Sequence, residues 1–419
     1  MTQSSKLQSD NLITPILLCG CLIICVSFSI RATFGVFQIP IAEEFGWPRT
    51  DFSFAIAIQN LAWGIGQPFF GALAEKIGDR IAMIVGSIIY ALGLILSSIA
   101  TTPEAHQILE FAVGLGIAGT GFGVILAVIG RASSDKHRSM SLGIATAAGS
   151  GGQIIGPPVA EYLLGIMPWQ TVFLVFAGAI LLVMVVLPVF KGGYKASSME
   201  MEETITGIIK KAFGDPSFSL IFVGFFSCGY QLALITAHFP AFVTEFSEPI
   251  LKGGLIDQLG ISTTSALGAV SISLIGFANI FGTIAAGWLG THFSRKMVLT
   301  IIYTLRAIST LIFLMLPVTP FNIIWFSLVM GVLWLATVPL TSGLIAHIYG
   351  LRYMGTLYGI IFFSHQLGGF IGVWLGGFLY DRTGNYDMVW WIGVGVAAFS
   401  AIVHLPINEI PLNQRFRTS

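Results

Sequence analysis

Two stretches, GIATAAGSGGQIIGP (residues 143–157) and GIIFFSHQLGGFIGV (residues 359–373), carry one spacing twice. The first places glycines at Gly143, Gly152 and Gly156, with Pro157 next; the second places them at Gly359, Gly368 and Gly372. The copies lie 216 positions apart in a chain of 419 residues. In each, the last two glycines are four apart, so on a helix they share a face and let a neighbouring backbone approach closely. A second pair, Gly71 and Gly287, keeps the same offset. The chain therefore reads as two related halves. His365 in the second copy stands where the first has Gly149.

Working outward, hydrophobic residues make up 55% of the sequence and charged residues 10%, with a mean hydropathy of +0.86. A soluble domain carries roughly 25% charged residues, so water is not the main solvent of this chain. Apolar runs of about 20 residues, the length that spans a bilayer as a helix, recur from end to end. Twenty Lys+Arg balance twenty Asp+Glu, which leaves no basic surface for nucleic acid. Cys19, Cys21, Cys25 and Cys228 all sit in apolar runs and read as small buried hydrophobes rather than disulfides or metal ligands. The polar start, Met1 to Asn11, leads into a run too long for a signal-peptide core, so it is expected to be retained.

Twelve spanning helices are predicted, at 12–40, 53–74, 81–100, 106–131, 140–164, 170–190, 217–245, 263–288, 298–317, 322–347, 355–379 and 388–407. The fold class is an all-α integral membrane protein with twelve transmembrane helices in two pseudo-symmetric six-helix bundles. With both termini cytoplasmic, fifteen of the twenty Lys+Arg fall on the inside, and the outer loops keep only Arg49, Lys252 and Arg382. That asymmetry orients the chain. Arg31 and Arg306 fall inside spans. The expected division is residues 1–190 as the N-terminal half, 191–216 as a cytoplasmic linker and 217–419 as the C-terminal half. Within the linker, Ile205, Ile208, Ile209 and Ala212 mark one face of a short amphipathic helix.

The segment from Gly71 through Glu75, Lys76, Gly78 and Asp79 to Arg80 resembles the loop after the second helix of major facilitator superfamily transporters. It makes a tight turn whose acid can sit near helix N-termini while its bases meet lipid phosphates. Gly71, Glu75, Lys76, Gly78 and Arg80 are thus expected to form a gating loop. The copy from Gly287 to Lys296 keeps the glycine and the bases, with His292 near the acid's place. The Gly143, Gly152, Gly156, Pro157 spacing also resembles that superfamily's fifth-helix antiporter signature, with Ala160 and Glu161 in place of its closing glycine pair. Phe34 to Phe37, Phe45 to Arg49 and Ala148 to Gly151 look like the branch of monocarboxylate porters and oxalate/formate antiporters. The resemblance implies transport of a small organic anion, often with a proton. Against the arginine and lysine that oxalate/formate antiporters pair on their eighth and eleventh helices, this chain sets Thr283 and His365.

An ion inside a spanning helix costs free energy unless it faces a cavity or a partner, so each one is a candidate site. Arg31 shares a helical face with Phe34 and Gln38, and its planar fork suits a carboxylate; a structural pairing is the alternative. Aligning Pro40 with Pro240 sets Gln231 opposite Arg31 and His238 opposite Gln38. The resemblance implies that the first and seventh helices line a central cavity, where these faces meet. His365, with Gln366, is a candidate for proton coupling or anion binding, since histidine titrates near neutrality; packing as a neutral residue is the alternative. Glu110 either carries a proton from a buried position or lies in water at the outer end; a loop over Thr101 to Gln107 favours water. Arg306 falls on a peripheral helix and reads as structural. Asn60, Trp63 and Gln67 on the second span, Trp334, Thr337 and Thr341 on the tenth, and Tyr230 and Asn279 suit a small polar substrate or, equally, helix packing.

Secondary transport of a mono- or dicarboxylate, driven by protons or exchange with alternating access, is the first functional expectation. Efflux of an amphiphilic or cationic compound is the alternative, and it predicts an acid rather than Arg31 as the midplane charge. A membrane-embedded enzyme is disfavoured, because no His-Glu-x-x-His and no phosphate-cradling Gly-x-x-x-x-Gly-Lys segment occurs. No cofactor or metal is expected. The expected partners are a carboxylate substrate and the lipid bilayer, the expected state a monomer, and the expected location a bacterial inner membrane.

Overall fold

The computed structural model describes residues 11–47, 49–190 and 204–415. The N-terminal spans are α1 (Pro15–Phe45), α2 (Arg49–Ile77), α3 (Asp79–Ser97), the broken pair α4 (Pro103–Thr120) and α5 (Phe122–Ala132), α6 (Arg138–Leu164), and α7 (Trp169–Val183) with a 3-10 extension over Met184–Val189. A short helix, α8 (Ile205–Phe213), precedes α9 (Pro216–Phe246) and α10 (Leu255–Gln258). Then come α11 (Thr264–His292), α12 (Arg295–Met315), the broken pair α13 (Pro320–Leu333) and α14 (Thr337–Tyr349), α15 (Met354–Thr383), α16 (Asp387–His404) and α17 (Leu412–Arg415). Counting each broken pair as one gives the twelve expected spans. The fifth is α6 and the eleventh α15, which carry the two glycine copies.

Ten of these are long and apolar enough to cross a membrane by length and composition. The two that fall short, α2 and α6, lie between the halves, α2 along α15 and α6 along α11. There Asn60, Gln67, Thr146, Ser150 and glycines replace lipid-facing apolar bulk. Outward-facing side chains such as Phe69, Leu182 and Phe321 are each at least 70% exposed, as a belt meant for lipid requires.

The glycine repeat of the sequence is a repeat of packing. A Cβ on Gly156 would press on Ser29 of α1, and one on Gly372 would lie 2.6 Å from the Tyr230 carbonyl of α9. The other glycines pair the halves crosswise at one end of the bundle: Gly71 abuts Gly355, and Gly143 abuts Gly287.

The fourth and tenth spans were expected to be continuous and are not. Gly121 interrupts the fourth with extended backbone, and residues 334–336 interrupt the tenth. The second break survives because side chains take up its freed backbone groups. Leu335 N donates to Asn279 Oδ1 at 2.8 Å, and Arg306 donates to the carbonyls of Leu333 and Trp334. The expected amphipathic helix is α8, with Ile208 and Ala212 buried. The preceding linker, 191–203, lies outside the described residues.

Candidate functional site

Arg31, half-buried on α1, donates from Nη2 to Asn60 Oδ1 on α2 at 2.9 Å. Its guanidinium carbon lies 4.9 Å from the Trp63 ring centre and 5.9 Å from that of Phe28. Both aromatic faces attract the cation without neutralising it. Trp63 is fixed in turn: its Nε1 donates to Gln67 Oε1 at 2.9 Å, and Gln67 Nε2 donates to the Ala118 carbonyl at 2.9 Å. Among the described residues no carboxylate forms an ion pair with Arg31. Its charge is held by one amide oxygen and two rings.

Glu110 lies in the same half and is also not its partner. The expected position in water is overturned: Glu110 is fully buried. The loop ends earlier than expected, at Thr102, which caps α4, so Glu110 sits two turns inside and faces α2. Gln59 Nε2 donates to its Oε2 at 2.6 Å, and His106 Nε2 stands 3.9 Å from Oε1. The neighbours Gln59 and Asn60 on α2 thus hold Glu110 and Arg31 separately.

Asn60 also connects the halves. Its carbonyl accepts from Gln366 Nε2 on α15 at 3.2 Å, and Gln366 Oε1 faces His365 Nδ1 at 2.8 Å. At the other interface Asn279 Nδ2 donates to Ser150 Oγ. Ser150 and Gln366 hold equivalent places in the repeat, so one position of the motif sends a polar side chain across in both copies. His365 is more than nine-tenths buried and stacked on Phe362 at 5.0 Å. On the neighbouring α9, Cys228 Sγ stands 3.2 Å from Thr337 Oγ1.

Several predicted residues point elsewhere. Phe34 packs on Phe173 of α7 at 6.0 Å. Tyr230 Oη donates to the Val389 carbonyl at 3.0 Å, and Gln231 Nε2 to the Gly393 carbonyl at 3.2 Å, both on α16. His238 Nε2 meets the Val373 carbonyl at 2.8 Å. Thr283 gives its hydroxyl to the Asn279 carbonyl at 2.8 Å. Trp334 ends α13 at the break, so it does not continue one face with Thr337 and Thr341, both fully buried on α14. The Gln38 side chain lies outside the described residues. Gln59, Tyr303 and Tyr358 escaped the sequence reading; only Gln59, beside Asn60 in an apolar run, carried a visible signal.

At the end of the bundle where Gly71 meets Gly355, Glu75 caps α15. Its Oε1 accepts from Thr356 N at 3.0 Å and its Oε2 from the Thr356 hydroxyl, so a carboxylate of one half sits on a helix N-terminus of the other. Asp79 pairs with Arg131, Gly78 turns the chain at φ +110°, and Lys76 and Arg80 are exposed.

The model of the Major Facilitator Superfamily matches residues 19–256 and 248–415. The MFS-type transporter YcxA of Bacillus subtilis is 28% identical over 403 residues, covering 90% of each chain. Monocarboxylate transporter 13 of Bos taurus is 26% identical over 379 residues, covering 86% of this chain and 80% of its own. The multidrug resistance protein MdtL of Vibrio parahaemolyticus is 21% identical over 263 residues, 57% of this chain and 66% of its own. In three dimensions the chain is similar to the E. coli fucose:proton symporter FucP, with a TM-score of 0.66 at 16% identity, over 97% of this chain and 99% of that one. From its twelve-span bundle and these matches, the chain belongs to the Major Facilitator Superfamily and is a multi-pass membrane transporter.

Proposed function

We propose that this protein is a secondary active transporter of a small organic anion, a mono- or dicarboxylate, moved with a proton or by exchange. The observation that carries the reading is Arg31: a cation inside the bundle whose partners among the described residues are all neutral. Holding a charge there is costly, and a carboxylate ligand supplies the missing counter-charge through two parallel hydrogen bonds. Asn60, Trp63 and Phe28 preset the guanidinium for it. The likeness to a monocarboxylate transporter supports the same substrate class.

His365 is the proposed proton carrier, with Glu110 the second candidate. Both termini are cytoplasmic, and residues 1–190 and 217–419 rock about the site. The Glu75 cap on α15 and the glycine contacts close the cytoplasmic end in this state. The test is uptake of small carboxylates into proteoliposomes with and without an imposed pH gradient, for wild type and Arg31→Ala. Normal uptake by Arg31→Ala would remove the anion-site assignment.

Efflux of an amphiphilic cation is the second reading, favoured by the buried Glu110 and the likeness to MdtL. It is tested in the same vesicles with a lipophilic cation, whose transport must then depend on Glu110 and not on Arg31.

A further inference from the structure

Gln366 of α15 lies across α2 in a notch that Gly64 leaves open. A Cβ on Gly64 would stand 2.6 Å from the Gln366 Cβ and 3.2 Å from its Cγ. Trp63, next to Gly64, packs its ring 4.8 Å from that of Phe362, one turn before Gln366. With 1% of its surface exposed, Gln366 must satisfy both ends of its amide inside the bundle.

Chemistry fixes which end goes where. One end meets the backbone carbonyl of Asn60 in the opposite half at 3.2 Å, and a carbonyl only accepts, so that end is Nε2. The other end, Oε1, therefore faces His365 Nδ1 at 2.8 Å. An amide oxygen also only accepts, so in the neutral imidazole Nδ1 carries the hydrogen and Nε2 keeps its lone pair. Among the described residues His365 Nε2 has no hydrogen-bond partner. The ring is held in place: it stacks on Phe362 at 5.0 Å and 11°, and lies 5.0 Å from the Phe225 ring of α9. Behind it, a Cβ on Gly229 of α9 would press on the His365 carbonyl.

The titratable and charged groups around this place are few. On α9, Cys228 precedes Gly229, and its sulfur approaches the same Trp334 carbonyl that Arg306 of α12 holds. On α15 itself, Tyr358 packs on Phe225 and Phe362. On the α2 side Asn60, Trp63 and Gly64 are neutral, and Arg31 is reached through the Asn60 side chain.

We propose that Gln366 is a positioning residue: through Asn60 of the other half it fixes His365 as the Nδ1–H tautomer and so makes Nε2 the nitrogen that takes the proton. The proposal rests on the reading of His365 as proton carrier and deepens it. The assignment lasts only while α2 and α15 touch, because the Asn60 carbonyl is what holds the amide. Once the halves part at this level, the amide is free to turn its nitrogen toward the ring. The imidazolium then gives its Nδ1 proton to water and is left as the Nε2–H form. A proton thus enters at one nitrogen and leaves from the other, which ties protonation to the movement of the halves.

The test is nitrogen-15 NMR of the full chain with labelled histidine, in detergent at a pH where the ring is neutral. The His365 signals are identified by their absence in His365→Gln. Wild type is expected to hold His365 as the Nδ1–H tautomer. Gln366→Met keeps the bulk but removes both amide ends, while Gly64→Ala leaves every polar group in place and pushes Gln366 out of its notch. Both should change the ring to the Nε2–H form that free histidine prefers, and both should lose uptake driven by a proton gradient in vesicles. Either variant suffices if the other does not fold. An Nε2–H ring in wild type, or an Nδ1–H ring kept in a folded variant, would overturn the proposal. The expected tautomers in a protein whose pH profile survives His365→Gln would instead remove the proton-carrier reading, while the tautomer assignment stands.

Discussion

At the scale of single residues, two side chains carry the proposed chemistry, and they are connected rather than independent. Arg31 holds Asn60 by its side chain, while the Asn60 carbonyl holds Gln366, which orients His365. Arg31→Lys keeps the charge but loses the fork and the flat face over Trp63. A hydrogen bond to a charged group contributes about 1.5–3 kcal/mol, so the half-saturating carboxylate concentration should rise by about tenfold or more; an unchanged value would mean that charge alone recruits the substrate. For His365→Gln the readout is the pH profile. With His365 as the proton carrier, wild-type uptake should fall as pH rises. His365→Gln cannot gain a proton and should show a flat profile while still exchanging internal for external substrate. A variant profile matching the wild type would move the coupling role to Glu110.

At the scale of helices, glycine decides how closely the spans approach. A Cβ at Gly152 would collide with the Cys25 carbonyl, and one at Gly368 with the Phe226 carbonyl, both backbone atoms that cannot rotate away. A Cβ at Gly151 would meet nothing within 4 Å. Gly152→Ala and Gly368→Ala should therefore each destabilise by about 1–3 kcal/mol, read as a lowered Tm in detergent, with Gly151→Ala close to wild type. Equal Tm values for all three would show that α1 and α9 shift freely to make room. The spacing marked these glycines as one face, but it could not say which neighbour each meets. Nor could it show that the tenth span breaks, because the groups that make the break tolerable, Asn279 and Arg306, come from other helices.

At the scale of the whole molecule, the halves meet along α2 with α15 and α6 with α11. The halves touch closely at the end bearing Glu75, Gly71 and Gly143. A Cβ at Gly290 would lie 3.9 Å from that of Ser139 in the opposite half, within the span of a disulfide. Oxidation of a Ser139→Cys, Gly290→Cys variant should lock this end, stop uptake in vesicles and release it on reduction. Continued transport by the crosslinked protein would mean that the halves do not separate there during the cycle.

The sequence by itself determined the solvent, the number of spans and the twofold repeat. Apolar runs of bilayer length and fixed glycine intervals are local quantities that need no knowledge of neighbours. It also singled out Arg31 and His365, because an ionisable residue in an apolar run is visible wherever it points. Only the tertiary structure decided what those residues touch. It turned Gln231 and Tyr230 to α16, buried Glu110 against Gln59, and chained Arg31 to His365 through Asn60 and Gln366. The physical reason is that a polar side chain in an apolar bundle goes to the nearest unsatisfied donor or acceptor. Which one is nearest depends on helix rotation and on contacts hundreds of residues away in sequence, such as the 306 positions between Asn60 and Gln366.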